Sequence, residues 1–413
     1  MALREVEVAV IGGGAAGIAA AKRLQQQGRS YLLLEAQQRL GGRAYTVQVN
    51  GHNLDLGCGW LHSADKNPWA AIAGQTGFAI DKTTPPWDRP SNPNGFSIAE
   101  QKEFRKALSA FYERADAARL DCRDRPLSAF LDPESRWNPL INAISSYFSG
   151  AETERVSTQD LQNYQDSEIN WRVVDGYGAL VTSYAQDLEV VLNCKVLFID
   201  WSGIRLRIAT SIGVLECQAA IVALPTSVIA RNPELFSPQL PEKVAAAECL
   251  PLGLADKLFL SLEGAEEFEP DSRLFGRPDR AATAIYHVRP FGRPLIECYF
   301  GGACADDLER GGPQAFFEFV AAELTNLHGN EFKRRIAPLA MHLWRADEFS
   351  LGAYSYAEPG HADDRAILAS SVADRLFFAG EACSREWYST AHGALASGVA
   401  AADALHMALG HAS

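Results

Sequence analysis

The sequence predicts an α/β protein of two domains. One is an open parallel sheet assembled from separated stretches of the chain, and the other is an α+β unit built from what lies between them. Three observations carry this. Residues 6–35 read as strand, glycine turn, helix and strand. A short apolar strand and a small-residue helix follow near the far end, at 376–398. Between them, residues 97–150 carry helical periodicity and residues 255–300 alternate strands with turns.

The first unit is the most specific. Val6–Ile11 is an apolar run, Gly12–Gly13–Gly14–Ala15–Ala16–Gly17 follows it, and Ile18–Gln27 is helix-like. A second apolar run, Tyr31–Leu34, ends at Glu35. Gly12 permits a tight turn, Gly14 lets backbone N–H groups approach a pyrophosphate, and Gly17 lets the helix pack close to the strand. The helix N-terminus turns partial positive charge toward phosphates. Glu35 ends the second strand where a carboxylate accepts from both ribose hydroxyls, which argues against a 2′-phosphate. A chance glycine turn accounts for the turn but not for Glu35.

The next segment chooses between dinucleotides. It reads Arg39–Leu40–Gly41–Gly42–Arg43, with Thr46 three residues later. A nicotinamide site has no use for a second glycine pair here. A flavin site does, because the backbone must pass close to the pyrophosphate and Arg43 supplies a cationic fork. A surface turn flanked by arginines is the plain alternative.

Composition sets outer bounds. The chain has 413 residues, 47% hydrophobic and 22% charged, enough for two domains with substantial cores. Its 38 basic and 51 acidic residues leave a net charge of −13. That disfavours nucleic acid and anionic membranes and attracts cationic small molecules, although plain solubility explains it equally. The cysteines at 58, 122, 194, 217, 249, 298, 304 and 383 form no CxxC pair. They read as reduced, mostly core thiols of a cytoplasmic protein. The first strand begins within a few residues of the start and no 18-residue apolar stretch exists, so neither a signal peptide nor a membrane anchor is expected. No metal site is expected, and the sequence is silent on oligomeric state.

Further along, Pro85–Gly95 marks a boundary or a long loop. Glu103–Leu120 places Phe104, Leu108, Phe111 and Ala115 at helical spacing, and Pro126, Pro133 and Pro139 punctuate shorter helices. Val190–Asp200, Ile204–Thr210 and Gly213–Cys217 look like a strand meander. Ala219–Leu224 reads as a buried strand ended by Pro225, Gly312–Asn326 as a helix and Leu376–Ala379 as a strand. The alanine-rich helix after Gly393 is interrupted by His406 and His411. The expected division is 1–80, 171–252 and 345–413 for the dinucleotide domain. Residues 81–170 form the helical part, and residues 253–344 the sheet part, of the second domain.

Four further segments carry chemistry. The run Arg375–Leu376–Phe377–Phe378–Ala379–Gly380–Glu381 precedes Thr390–Ala391–His392–Gly393, and Gly393 and Gly398 allow a tightly packed helix whose N-terminus points at a ligand. Asp55–Leu56–Gly57–Cys58–Gly59–Trp60–Leu61–His62 follows the glycine doublet. In Leu254–Ser261, period two puts Ala255, Lys257 and Phe259 on one face. His342–Leu343–Trp344–Arg345–Ala346–Asp347 leads to Gly352–Ala353–Tyr354–Ser355–Tyr356. Taken with the two glycine motifs, these segments resemble the flavin-containing amine oxidase family along nearly the full length, most strongly at 5–68, 171–260 and 342–402, and polyamine oxidases within it.

That resemblance implies a Rossmann-like FAD domain and an α+β substrate domain. It implies non-covalent FAD, because Ala353 stands where monoamine oxidases carry the attaching cysteine. Cofactor contacts are implied at Gly12, Gly14, Ala16, Gly17, Glu35, Ala36, Gly42, Arg43, Gly57, Gly59, Trp60, Val196, Trp344, Gly380, Glu381, Thr390 and Ala391. Lys257 matches the lysine that reaches flavin N5 through a water, whereas the residue alone would read as an exposed rim lysine. Tyr354 is implied on the substrate side of the flavin. Trp60 and His62 match the polyamine oxidase pattern, in which the histidine helps bind substrate nitrogen, while a structural histidine is the alternative. Thr390 stands where monoamine oxidases have a second tyrosine, with Trp387 or Tyr388 as a partial replacement. The acidic stretch 152–168, with Asp166 and Glu168, reads either as acids facing a basic substrate or as a solvated loop.

The implied reaction oxidises a cationic amine bound in its neutral form. Hydride leaves the α-carbon for flavin N5, the imine hydrolyses to aldehyde and amine, and O2 is reduced to H2O2. The alternatives are a monoamine or amino-acid oxidase, a demethylase acting on a peptide, an O2-independent dehydrogenase or desaturase, and a flavin-binding protein without turnover.

Overall fold

The computed structural model describes residues 5–118 and 123–410. Leu120, Cys122 and His411 lie outside the described residues. Five parallel strands form the first sheet, in the order Leu376–Phe378, Ala219–Val222, Val8–Ile11, Tyr31–Leu34 and Val190–Val191. The first four are buried along their whole length, which explains why they read as apolar runs and not as alternations. Period two still operates inside them. Val8, Val10, Leu33, Ile221 and Phe377 face a helical layer of Ala15–Gln26 and Ala391–Gly410. Ala9, Ile11, Leu32, Leu34, Ala220 and Val222 face a second, four-stranded sheet.

The two helices of that layer pack closely because small residues line them. A Cβ on Gly398 would lie 2.1 Å from the Ala16 carbonyl oxygen. A Cβ on Gly17 would lie 1.8 Å from the Gly12 oxygen. Gly398 is thus required at the crossing, and Gly17 where the first helix leaves its glycine turn, for steric reasons.

The second domain is centred on an antiparallel sheet, in the order Ser272–Phe275, Ile285–Val288, Leu295–Gly301, Ala255–Leu262 and Ile336–Met341. One face packs on the long helix Gly302–His328. Phe259 and Leu295 on the other face meet Leu54 and Leu56. Ile98–Ala117 and Asn138–Ser149 form a separate core with Phe275 and Tyr356.

Several elements differ from the sequence expectation. The first helix starts at Ala15, inside the glycine motif, and not at Ile18. Val190–Asp200 is two strands: Val190–Val191 is the edge of the parallel sheet, and Val196–Asp200 belongs to the antiparallel meander with Leu206–Thr210 and Gly213–Cys217. The long helix begins ten residues before Gly312, at Gly302, and Gly312 (φ 73°) with Pro313 is an internal kink. Ile98–Ala117 starts five residues before Glu103, at a capping box of Ser97 and Glu100. Pro85–Gly95 is tied to the sheet, with Asn92 N–H donating to the Arg273 carbonyl at 2.8 Å. Among the described residues no helix is long and apolar enough to cross a membrane.

Candidate active site

The two glycine motifs meet. Gly41 N–H donates to the Gly13 carbonyl at 2.9 Å, and Gly14 bridges Gly41. Gly12 (φ +103°) and Gly42 (φ +55°) both hold left-handed backbone, which favours glycine there. Gly14 caps the first helix without a side-chain bond, and a Cβ on it would meet nothing nearer than 4.0 Å. Glu35 is buried at the end of its strand, where its carboxylate accepts from Gly13 N–H at 2.6 Å and Gln37 N–H at 2.7 Å. Burial raises its pKa, and the backbone donors oppose that rise. A backbone cradle without side chains, a helix N-terminus and a carboxylate beyond it together fit an adenine dinucleotide. Ala16 and Gly17 lie in the first helical turn, and Ala36 follows Glu35. Val196 is half-buried opposite Thr210, two residues after Cys194, whose N–H donates to the Glu35 carbonyl at 2.8 Å.

Arg43 Nη1 donates to the Glu381 carboxylate and to the Ala353 carbonyl, both at 2.8 Å. Glu381 also accepts from Ser355 N–H (3.2 Å), Ser355 Oγ (2.6 Å) and Ser389 N–H (2.8 Å). Its oxygens are thus occupied by protein donors. Burial alone would raise its pKa, and Arg43, Ser355 and Arg365 outweigh burial and hold it below the usual carboxylate value. Ser355 Oγ in turn accepts from Arg365, which forms a fully buried pair with Asp160 at 2.6 Å. Asp160, in the acidic stretch, is therefore a core ion-pair partner and not a solvated acid.

A Cβ on Gly380 (φ +149°) would meet nothing within 4 Å, and the Gly380 N–H donates to Ser397 Oγ at 3.0 Å. Thr390 caps the C-terminal helix, with Oγ1 donating to the Trp387 carbonyl at 2.6 Å and accepting from Gly393 N–H at 2.9 Å. Ala391 is the first residue of that helix. Tyr388 packs under Arg365, 3.8 Å from ring centroid to guanidinium, and belongs to the core.

Lys257 is buried, against the rim reading. Its Nζ lies 3.0 Å from Glu297 Oε1 and 3.1 Å from the Asp55 carbonyl oxygen. A Cβ on Gly59 would lie 3.0 Å from that Nζ. A Cβ on Gly57 would lie 1.8 Å from the Arg43 oxygen and 3.2 Å from Trp344. Trp344, itself buried, donates Nε1–H to the Leu56 carbonyl at 3.1 Å and so buttresses the turn. The Trp60 ring is 4.4 Å from that of Trp87 and 5.1 Å from the Arg172 guanidinium.

His62 and Tyr354 have defined partners. His62 Nδ1 is 2.7 Å from Asn170 Oδ1, while Asn170 Nδ2 donates to the Glu168 carbonyl at 3.1 Å. That second bond fixes which end of the Asn170 amide faces the ring, so His62 Nδ1 carries the proton and Nε2 keeps a lone pair. Burial lowers the His62 pKa, which leaves the ring neutral at pH 7. Asp166 accepts from Ser63 Oγ at 3.1 Å and Glu168 N–H at 2.9 Å. Glu168 itself is exposed. Tyr354 Oη donates to the Tyr147 carbonyl and sits 2.9 Å from Tyr299 Oη.

Sequence reasoning missed Glu297, Tyr299, His287, Arg172 and Asn170. For two of them a signal existed: Glu297 and Tyr299 are the polar alternates of Leu295–Gly301, between buried Ile296, Cys298 and Phe300. Register then sets Tyr299 opposite Lys257. Away from this region, Cys249, His361 and Asp364 bring ligand atoms within 4.8 Å of one another, but His361 Nδ1 is already bonded to Asp364 Oδ2 at 2.9 Å.

Comparison with known proteins gives a consistent assignment. Residues 122–406 match the family described as flavin containing amine oxidoreductase, and residues 10–75 match an NAD(P)-binding Rossmann-like domain. Polyamine oxidase 3 of Oryza sativa subsp. japonica is 27% identical over 433 residues, covering 96% of this chain and 88% of that protein. Polyamine oxidase 2 of Arabidopsis thaliana is 26% identical, covering 98% and 89%. Lysine-specific histone demethylase 1 homolog 3 of Oryza sativa subsp. japonica is 28% identical, covering 96% of this chain but 53% of that protein. Among solved structures, a putrescine oxidase double mutant redesigned in its cofactor binding shares the fold, with a TM-score of 0.78, 16% identity and coverage of 98% and 99%.

Proposed function

The chain belongs to the flavin-containing amine oxidoreductases and is an FAD-dependent enzyme acting on amines, and from that premise we propose that it is a polyamine oxidase. The observation that carries this reading is the His62–Asn170 pair. A neutral histidine with Nδ1 protonated offers Nε2 as an acceptor to an amine N–H. An amine must bind with its nitrogen lone pair free, so a neutral acceptor suits it better than a carboxylate, which would favour the ammonium form. Asp166 and the net charge of −13 draw a polycation toward the site from further away. The full-length likeness to two plant polyamine oxidases supports the same substrate class.

Glu35 would hold the ribose, the Gly12–Gly17 turn with Gly41–Gly42 and Arg43 the pyrophosphate, and the Gly57–Gly59 turn with the Ala391 helix N-terminus the flavin ring. A flavin held there would supply a hydride acceptor for the amine α-carbon and an electron donor for the reduction of O2 to H2O2. Tyr354 and Tyr299 form a hydrogen-bonded wall, and Lys257 supplies a fixed positive charge for the reaction with O2. Ala353 offers no thiol, so the cofactor is held without a covalent bond. The parallel sheet, which joins Val8–Ile11 with Ala219–Val222 and Leu376–Phe378, supports a dinucleotide domain discontinuous in sequence, divided at 80, 170, 252 and 344. The free cysteines suit a reducing compartment such as the cytoplasm.

The test is anaerobic mixing of the yellow enzyme with spermine, spermidine, N-acetylspermine, putrescine, benzylamine and L-amino acids, followed by O2. Rapid bleaching by a polyamine, with H2O2 on reoxidation, is expected. Bleaching only by benzylamine or an amino acid would overturn the polyamine reading and keep the amine oxidoreductase.

A further inference from the structure

Lys257 does not stand alone. A buried ammonium costs several kcal/mol unless it is paired and hydrogen-bonded. Glu297 supplies the pairing diagonally across the sheet, from the position opposite Phe259. Directly opposite Glu297 on the next strand is His287, whose Nδ1 lies 3.7 Å from Glu297 Oε2. His287 Nε2 is 3.0 Å from Asp271 Oδ1, Asp271 is 2.8 Å from Arg172 Nη1, and Arg172 also pairs with Asp81 at 2.5 Å. A chain of polar contacts thus runs from Lys257 across three strands, through Glu297, His287 and Asp271, to Arg172, whose guanidinium lies near Trp60. A small cavity lined by Lys257, Glu297, Trp60, Arg172, Phe291 and Arg293 follows the same line.

Resting on the role given to Lys257 above, we propose that Glu297, braced by His287, is a positioning residue that fixes the Lys257 ammonium against the Asp55 carbonyl, beside Gly59, for the reaction of the reduced enzyme with O2. No other group around Lys257 takes this place. The Asp55 carboxylate accepts from Thr46 Oγ1, Tyr177 N–H and Gly178 N–H, and only its backbone carbonyl meets Nζ. Tyr299 is engaged with Tyr354. The Cys58 thiol is pushed up to about 12 by burial, and the His62 ring is neutral. Burial pulls the Lys257 ammonium toward deprotonation, and Glu297 and Asp55 outweigh it, leaving its pKa raised. Burial raises Glu297 as well, but Lys257 and His287 bring it down to about 2. With Glu297 neutral, burial would dominate at Lys257 and the ammonium would lose its proton at lower pH.

The experiment compares wild type, Glu297→Gln, Glu297→Asp and Lys257→Met as flavin-loaded, 15N-lysine-labelled proteins. The Lys257 Nζ resonance, identified by its loss in Lys257→Met, is followed from pH 6 to 10, and reoxidation by O2 is timed by stopped flow over the same range. The wild-type resonance is expected to stay in its ammonium form at pH values where that of Glu297→Gln titrates. Reoxidation of Glu297→Gln should slow with rising pH, on the order of 10- to 100-fold, while anaerobic reduction by amine changes far less. Glu297→Asp should restore part of the difference. An unchanged resonance and unchanged reoxidation in Glu297→Gln would overturn the proposal. If Lys257→Met reoxidises at the wild-type rate, the role of Lys257 itself fails, and the resonance still decides whether Glu297 holds the charge. Should Glu297→Gln fail to retain flavin, His287→Gln is read instead: a smaller shift in the same direction supports the proposal, and no shift overturns it.

Discussion

Gly41 donates its N–H to the Gly13 carbonyl at 2.9 Å, so two glycine turns that a helix and a strand separate in sequence form one backbone surface. Side chains at Gly12 in the first turn and Gly41 in the second would run into backbone, with a Gly12 Cβ 2.6 Å from the Ala223 oxygen. A Cβ on Gly41 would lie 2.4 Å from the Ala44 oxygen, and one on Gly42 would lie 3.2 Å from Gly14 Cα. The joined turns, with Glu35 behind them, form a continuous backbone cradle of the kind an adenine dinucleotide needs.

The helix crossing behind this cradle has no room to spare. Gly398→Ala places a methyl 2.1 Å from the Ala16 oxygen. The expected cost is about 1–3 kcal/mol, with a lower melting temperature and less flavin retained per protein. Thermal denaturation and the ratio of flavin to protein absorbance check both.

Asp160→Asn leaves the Arg365 guanidinium, which is fully buried, without its anion. A loss of about 3–5 kcal/mol is expected, measured by urea unfolding. Because Arg365 also holds Ser355, and Ser355 holds Glu381 and through it Arg43, weaker flavin binding should accompany the loss.

Asn170→Ala frees the His62 ring to adopt the other tautomer. The expected result is a fall of roughly 10-fold in kcat/KM for the amine, with the O2 reaction unchanged. Steady-state kinetics at varied amine and varied O2 separate the two. A fall in the O2 term instead would place His62 elsewhere in the mechanism.

His392 gives a pH prediction. Burial lowers its pKa from 6.5 to about 4 in the folded protein. Between those values the unfolded chain binds a proton that the folded one refuses, so this contribution is complete above about 6.5 and is lost as pH falls toward 4. His392→Gln should therefore flatten the dependence of the melting temperature on pH between 6.5 and 4. An unchanged slope would show that His392 is not kept neutral by the fold.

Much of the scaffold was legible because its signals are local. The glycine turn announces itself through positive φ and close approach, and four strands of the parallel sheet through full burial on both faces. Boundaries shifted where a local signal has two meanings. Gly312–Pro313 suits both a helix start and a helix kink, and only the packing of Gly302–His328 on the sheet selects the kink. Val190–Asp200 is uniformly strand-like, and the Asn193 turn (φ 54°) hands its two halves to different sheets.

The sequence by itself determined the dinucleotide cradle, the acid at Glu35, the small-residue helix of Gly393 and Gly398, and the family to which they point. Each depends on backbone geometry within a short stretch of chain. Only the tertiary structure decided the partners of the charges taken into the fold, Glu297 for Lys257, Asp160 for Arg365 and Glu381 for Arg43, and of the neutral His62 ring, Asn170. Those pairings join residues 40 to 338 positions apart. They follow from strand register and layer packing, which no local pattern encodes, and they are enforced because a charge or polar group removed from water must find its partner inside the fold.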